Sequence, residues 1–236
     1  EELLEMNLKQ KNYELNRVKK IEVNCRIFKI RIMESPSEQI EFTWRDSVMR
    51  TLEIKENNGT ISVADRASIG IYGTLALIDL KKDAQFLIKI PKAYSGKIVL
   101  QTKEEMVHVT DVDFQGNLGI STNTGEILLE NVAARLIDIR ANIGKTNCYG
   151  IDASDAIYIS STRGNILCNL CGEESEYTVS CTTSNRRNRM TGTYGDGKKN
   201  VQLNSEHGEI QYACLSGKAA MKPSSRYNRR HSFKEW

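Results

Sequence analysis

Cys168-Asn-Leu-Cys171 is the one closely spaced pair of residues in this chain with the chemistry for metal or redox work. A structural zinc needs four ligands, and no second CxxC or CxxH lies nearby. The three histidines, His108, His207 and His231, are scattered. A thioredoxin-like site needs its cysteine at a helix N-terminus, where the thiol pKa falls. Cys168 instead sits in an alternating, strand-like run, which marks it as a buried structural thiol. Carboxylates offer a second chemistry. Enzymes that cleave acidic polysaccharides hold calcium with clustered carboxylates and abstract a proton with a basic residue. Asp111, Asp113, Asp138, Asp152 and Asp155 have the oxygens, and Lys145 or Arg163 the base. These positions share no common place in the sequence pattern, so no catalytic set is expected. Gly144-Lys145-Thr146 lacks the upstream glycine of a phosphate-binding loop. No catalytic, cofactor-binding or metal-binding residue is assigned, and no cofactor is expected.

Two basic elements remain. Arg186, Arg187 and Arg189 lie in an Arg-rich insertion, and Arg226, Arg229 and Arg230 in a C-terminal segment interleaved with Tyr227, Phe233 and Trp236. They point either to contact with an anionic partner (a lipid surface, a wall polymer or nucleic acid) or to a solvated loop and a flexible end. Residues 218–236 hold six Lys/Arg against Glu235, so they contribute +5 to a net charge of +3 and leave the rest at −2. Such a body is no platform for specific nucleic-acid binding.

A chain of 236 residues, 39% hydrophobic and 27% charged, has the composition of a soluble globular protein able to bury a core. No apolar run is long enough to span a bilayer as a helix. The chain opens on Glu1 without a basic-then-apolar leader, as an excised domain or a processed product would. Six irregularly spaced cysteines make a poor disulfide framework at this length.

The elements that must position all these residues read as strands. "EELLEMNLKQ" is either a short helix or a frayed lead-in. Ile21, Val23 and Cys25 then alternate on one face. Phe28, Ile30 and Ile32 alternate with the other parity, which requires a bulge or a turn between the two runs. "LEIKENNGTISV" is a hairpin around Asn58-Gly59, the pair a type I′ turn prefers. The same residues form the sequon Asn58-Gly59-Thr60, which the turn already explains.

Beyond residue 95 the chain repeats. Gly125, Gly144 and Gly164 are 19 and 20 residues apart, and Gly208 follows 44 later. Seven residues before each stand Leu118, Ile137, Ile157 and Val201. Five before stand Ile120, Ile139, Ile159 and Leu203, and three before stand the small residues Thr122, Ala141, Ser161 and Ser205. Four after come Leu129, Cys148, Cys168 and Tyr212. Gly96 aligns through Ile98 and Leu100 with the second half of this unit. The gap of 44 holds another copy, with Tyr177, Val179 and Cys181 in the three slots and Ser184 in place of the glycine. A unit this short cannot bury its apolar face alone and must stack on copies of itself. The pattern predicts a right-handed parallel β-solenoid of about five rungs. Cys148 and Cys168 are then successive occupants of one slot, expected as a stack of thiols rather than a disulfide.

"IKIPKAYSGKIVLQT", "LGISTNTGEILLENV", "IYISSTRGNILCNL" and "VQLNSEHGEIQY" resemble the recurring phrase of the bacterial DUF4097 putative adhesin family: a strand, then Ser/Thr-x-x-Gly-Asp/Glu-Ile, then a second strand. The resemblance covers about residues 12–215. It departs at Ser184, at the Arg-rich insertion and at Gly144-Lys145-Thr146. It implies a toast-rack-like β-solenoid with no catalytic residues to transfer.

The sequence therefore predicts an all-β protein. Residues 1–11 are a lead-in, 12–217 one solenoid domain (N-terminal strands 12–95, repeats 96–217), and 218–236 a basic tail. The expected function is a non-catalytic surface or scaffold module that binds a macromolecular partner at the cell surface or wall, or a protein. A homo-oligomer through the solenoid ends is an open route. The expected place is the cell envelope or outside the cell. Unpaired cysteines would instead favour a cytoplasmic or membrane-proximal regulatory scaffold, and bound calcium a carbohydrate-active enzyme.

Overall fold

The computed structural model describes residues 7–46, 50–67, 84–185 and 190–215. In chain order the strands are β1 (Asn7–Glu14), β2 (Lys20–Cys25), β3 (Lys29–Glu34), β4 (Gln39–Asp46), β5 (Arg50–Asn57), β6 (Thr60–Ala67), β7 (Gln85–Ile90), β8 (Lys97–Thr102) and β9 (Val107–Asp113). They continue as β10 (Asn117–Thr122), β11 (Ile127–Ala141), β12 (Thr146–Ser161), β13 (Ile166–Cys171), β14 (Tyr177–Thr183), β15 (Gly192–Tyr194), β16 (Lys199–Ser205) and β17 (Ile210–Leu215). No helix among the described residues is long and apolar enough to cross a membrane.

One hydrogen-bonded network of these strands curls into two walls around a shared core. The front wall runs β6, β2, β8, β10, the second half of β11, the second half of β12, β16 and β14, all parallel. The back wall runs β7, β3, β9, the first half of β11, the first half of β12, β13 and β17, again parallel. Each rung is one front and one back strand, except that β14 ends the front wall without a back-wall strand, and β11 and β12 are long because each passes from the back wall to the front. In-register pairing stacks Val23, Leu100, Ile120, Ile139, Ile159 and Leu203 into one dry column. Fully burying each such side chain stabilises by about 1.5–3 kcal/mol.

The N-terminal strands are mixed, parallel and antiparallel, and also extend the stack. β2/β3 and β6/β7 form two further parallel rungs, so the stack is longer than the glycine period alone indicates. The parity switch after Cys25 is the turn from front to back wall, held by the Asp65 carboxylate, which accepts from the Arg26 and Ile27 amides at 2.7 and 2.6 Å. Residues 7–10 belong to β1 rather than to a helix or a frayed end, because β1 pairs antiparallel with β4 along its whole length. Asn58 and Gly59 carry φ of 48° and 79° between β5 and β6, the expected primed turn.

Three details of the expected repeat change. Gly96 aligns with Gly116 at one turn, whereas Gly125, Gly144, Gly164 and Gly208 stack at the other; Ile98 and Leu100 pair with Leu118 and Ile120 and so belong to the front wall. In β14 the slots are filled by Val179, Cys181 and Thr183, opposite Val201, Leu203 and Ser205, two residues later than the sequence indicated. The rung order also departs from chain order, since β16 lies between β12 and β14. The reason for the glycine column is close approach rather than a left-handed backbone. A Cβ on Gly144 would overlap the carbonyl oxygen of Gly125, and one on Gly164 that of Gly144. Left-handed backbone occurs at the opposite arc, where Asp111, Asn131 and Gly150 stack with φ of 50°, 54° and 65°.

Aromatic rings close the core at both ends. Phe42 meets Tyr13 and Phe86 at 5.1 and 5.2 Å near the first rungs, and Tyr194 packs on Tyr212 at 5.5 Å near the last.

Candidate interaction surface

Alternation along each strand sends every second side chain outward, and in-register stacking turns those side chains into columns at about 4.8 Å per rung. On the front wall one column runs Asn24, Gln101, Ser121, Arg140, Ser160, Asn204, Thr182. The next runs Glu22, Val99, Gly119, Asp138, Tyr158, Gln202, Ser180. Amides and hydroxyls dominate, and the charged residues pair locally: Lys20 with Glu22, and Arg140 with Asp138 at 2.9 Å. A groove of about 490 Å³ follows the first column, lined by Ser121, Arg140, Ser160, Thr182 and Asn204 among others. This wall can offer a long, stiff ladder of donors and acceptors.

Few of the residue types that opened the sequence reading come together. Cys168 points into the core and Cys171 outward, so the CxxC pair cannot share a metal. Cys148 and Cys168 are direct partners across adjacent strands with both thiols free, as expected, and the other four cysteines are free as well. Burial pushes the Cys148 and Cys168 thiols up, and Cys181 up to about 11. The aspartates disperse into separate pairs. Asp113 binds Lys92 at 2.5 Å, Asp155 faces Arg135 at 3.7 Å, and Asp111 accepts from Asn131 at 2.7 Å. Lys145 and Arg163 lie exposed at the glycine turns, and Thr146 is buried behind Lys145. Among the described residues no group of three or more His, Cys, Asp or Glu is placed to hold a metal. Arg186, Arg187, Arg189, Arg226, Arg229, Arg230 and the basic tail lie outside the described residues.

Two arrangements escaped sequence reasoning. Lys199 Nζ lies 2.9 and 3.0 Å from the Asp152 carboxylate oxygens and 3.1 Å from Glu176. The Tyr177 hydroxyl sits between the Cys171 carbonyl at 2.6 Å and Asp152 at 3.0 Å. Burial, with the Asp152 charge beside it, pushes the Tyr177 hydroxyl pKa well up. For Lys199 burial works against the charge, yet the two carboxylates outweigh it and raise its pKa. The cluster ties the out-of-order β14 and β16 to the arc of β12. His108 Nε2 meets Glu130 Oε2 at 2.7 Å on the outer face of the back wall. The signal for that pair was adjacency of rungs, visible only once the register is known.

Comparison with known proteins follows the same outline. The family model described as Toastrack DUF4097 matches residues 18–180, more than half of the chain. The chain belongs to the Toastrack DUF4097 family. Two solved structures are similar to this Toastrack chain. One is described as a putative cell adhesion protein from Clostridium sporogenes ATCC 15579: 10% identity, TM-score 0.47, covering 90% of this chain and 100% of that one. The other is described as a putative adhesin from Bacteroides fragilis NCTC 9343: 14% identity, TM-score 0.46, covering 89% and 97%. No curated protein matches the Toastrack chain.

Proposed function

We propose that this Toastrack chain is a non-catalytic binding module of the bacterial cell envelope that holds a macromolecular partner against its front wall. The observation that carries the reading is the in-register ladder of outward amides and hydroxyls, continuous from Asn24 to Thr182. A stacked β-architecture makes such a surface stiff, so little ordering entropy opposes contact with a long partner. Dispersal of Asp111, Asp113, Asp138 and Asp155 to separate partners supports the non-catalytic part. Cosedimentation of the full chain with purified bacterial cell walls is the test. Saturable retention that survives high salt is expected, and no retention would refute the reading.

A second reading, an intracellular or membrane-proximal scaffold, is favoured by the six free thiols. A thiol titration of protein purified under non-reducing conditions separates the two, since six thiols would support a reducing compartment. The contact of Arg186, Arg187, Arg189, Arg226, Arg229 and Arg230 with an anionic surface remains a proposal, to be read from binding to anionic vesicles with and without residues 218–236.

A further inference from the structure

Gly119 stands in the middle of β10, on the outer face of the front wall, between Val99 of β8 and Asp138 of β11. Nothing in the backbone asks for glycine there. Its φ is not positive, and a Cβ would meet only the Ile98 carbonyl oxygen at 3.7 Å, an ordinary contact. Each of the other described glycines either takes a positive φ or would drive a Cβ into a neighbouring backbone or ring atom. A glycine inside a strand weakens it, and where sterics do not explain it, close approach of a ligand is a recurrent reason.

The missing side chain leaves a depression of about 270 Å³. Val99, Gly119 and Leu136 give its lining an apolar part, and Lys97, Gln101, Asn117, Asp138 and Arg140 a polar one. Arg140 donates to both Asp138 oxygens, at 3.3 and 2.9 Å, which holds a planar carboxylate and a planar guanidinium side by side. Ser121 and Arg140 also line the longer groove over Ser160, Asn204 and Thr182, so depression and groove are continuous.

We infer that this depression is a subsite for one ring of a neutral oligosaccharide whose chain lies along the groove, across successive rungs. A pyranose ring presents a C–H face, which fits the small apolar part of the lining. Its rim of hydroxyls, each both donor and acceptor, matches a mixed set of amide, carboxylate, guanidinium and hydroxyl groups. A protein partner fits less well. Stable protein interfaces are anchored by buried aromatic or aliphatic residues, whereas the large hydrophobic residues exposed among the described ones, Leu8 and Ile143, lie off this wall. A polyanion fits less well because Asp138 pairs with Arg140, which leaves the lining a single net positive charge, at Lys97.

The inference rests on the binding-module reading and names its ligand and contact point. The test measures binding of the full chain to a panel of neutral oligosaccharides (glucose, mannose, galactose and N-acetylhexosamine series) beside polygalacturonate and heparin. Wild type, Gly119→Thr and Asp138→Asn are compared, with thermal unfolding of each. Threonine suits an exposed strand position, so Gly119→Thr should unfold at the same or a higher temperature. It should weaken binding of at least one neutral series by about tenfold or more. Asp138→Asn should shift affinity among the neutral sugars while leaving the fold intact. Failure of wild type to bind any neutral series, binding of acidic polymers alone, or equal binding by Gly119→Thr would each overturn the inference. Retention on cell walls that Gly119→Thr leaves unchanged would overturn it while keeping the binding module; no retention by wild type would remove both.

Discussion

Cys148 and Cys168 illustrate how side-chain chemistry here follows from position in a column. Both face a dry interior, where burial disfavours the thiolate, and only the thiolate reacts. Ellman's reagent should therefore modify the half-exposed Cys171 and Cys214 first, and Cys148 and Cys168 at the rate of unfolding. Mass-spectrometric mapping of labelled sites over time checks this, and early labelling of Cys168 would contradict it. Glu41 is a contrasting case. Hydrogen bonds from Ser37, and then the Lys89 ammonium, hold its carboxyl below the usual 4.5 against an opposing effect of burial. A carboxylate with a depressed folded pKa stabilises the fold above its unfolded pKa, and that contribution is lost as pH falls through the folded value. Glu41→Gln should then be less stable than wild type at neutral pH and should approach it as pH drops below 4.5. Denaturant midpoints across pH read the convergence; parallel curves would contradict it.

Elements differ in how far local sequence specifies them. The β5–β6 hairpin is written in two residues, Asn58 and Gly59, because a type I′ turn needs φ positive at both and that pair adopts it readily. The ladder through Ile120, Ile139 and Ile159 is equally legible, since a period near 20 leaves one way to superpose the apolar slots. The position of β14 is not. Tyr177, Val179 and Cys181 all point inward, so a shift of two residues keeps every side chain on its proper face, and alternation cannot choose between the registers. What chooses is remote: Lys199 and Asp152, 47 residues apart, and the return of the chain through β15. The glycine column was legible as a repeat but not in its cause, because a sequence does not reveal that each turn rests on the carbonyl of the turn below. Gly144→Ala tests that cause. A Cβ with no room must push two turns apart, and such overpacking costs about 1–3 kcal/mol, measurable as a lower denaturant midpoint at unchanged slope. Stability equal to wild type would show that the turns are looser than described.

At the scale of the whole molecule, stacking does two things at once. It gives each rung the apolar partner it lacks alone, and it aligns the outward residues into the ladder on which the proposed binding depends. The out-of-order rungs matter here, since β6/β7 and β16/β17 are laid down late in their segments and then inserted beside or outside earlier strands. Antiparallel β4 and β1 border the back wall at one end, β5 borders the front, and β15 pairs with β14 at the other end. These strands, with the aromatic contacts at Phe42 and Tyr212, limit the unpaired edge that a solenoid would otherwise present to other chains. The most direct measurement is a methyl NOE spectrum of the full chain labelled at Ile, Leu and Val. Cross-peaks linking Ile120 to Ile139, Ile139 to Ile159, and Ile159 to Leu203 are expected, with Val179 next to Val201 rather than Ile157. Contacts from Ile157 directly to Val179, or no contact between Ile139 and Ile159, would contradict the stack and the surface it builds.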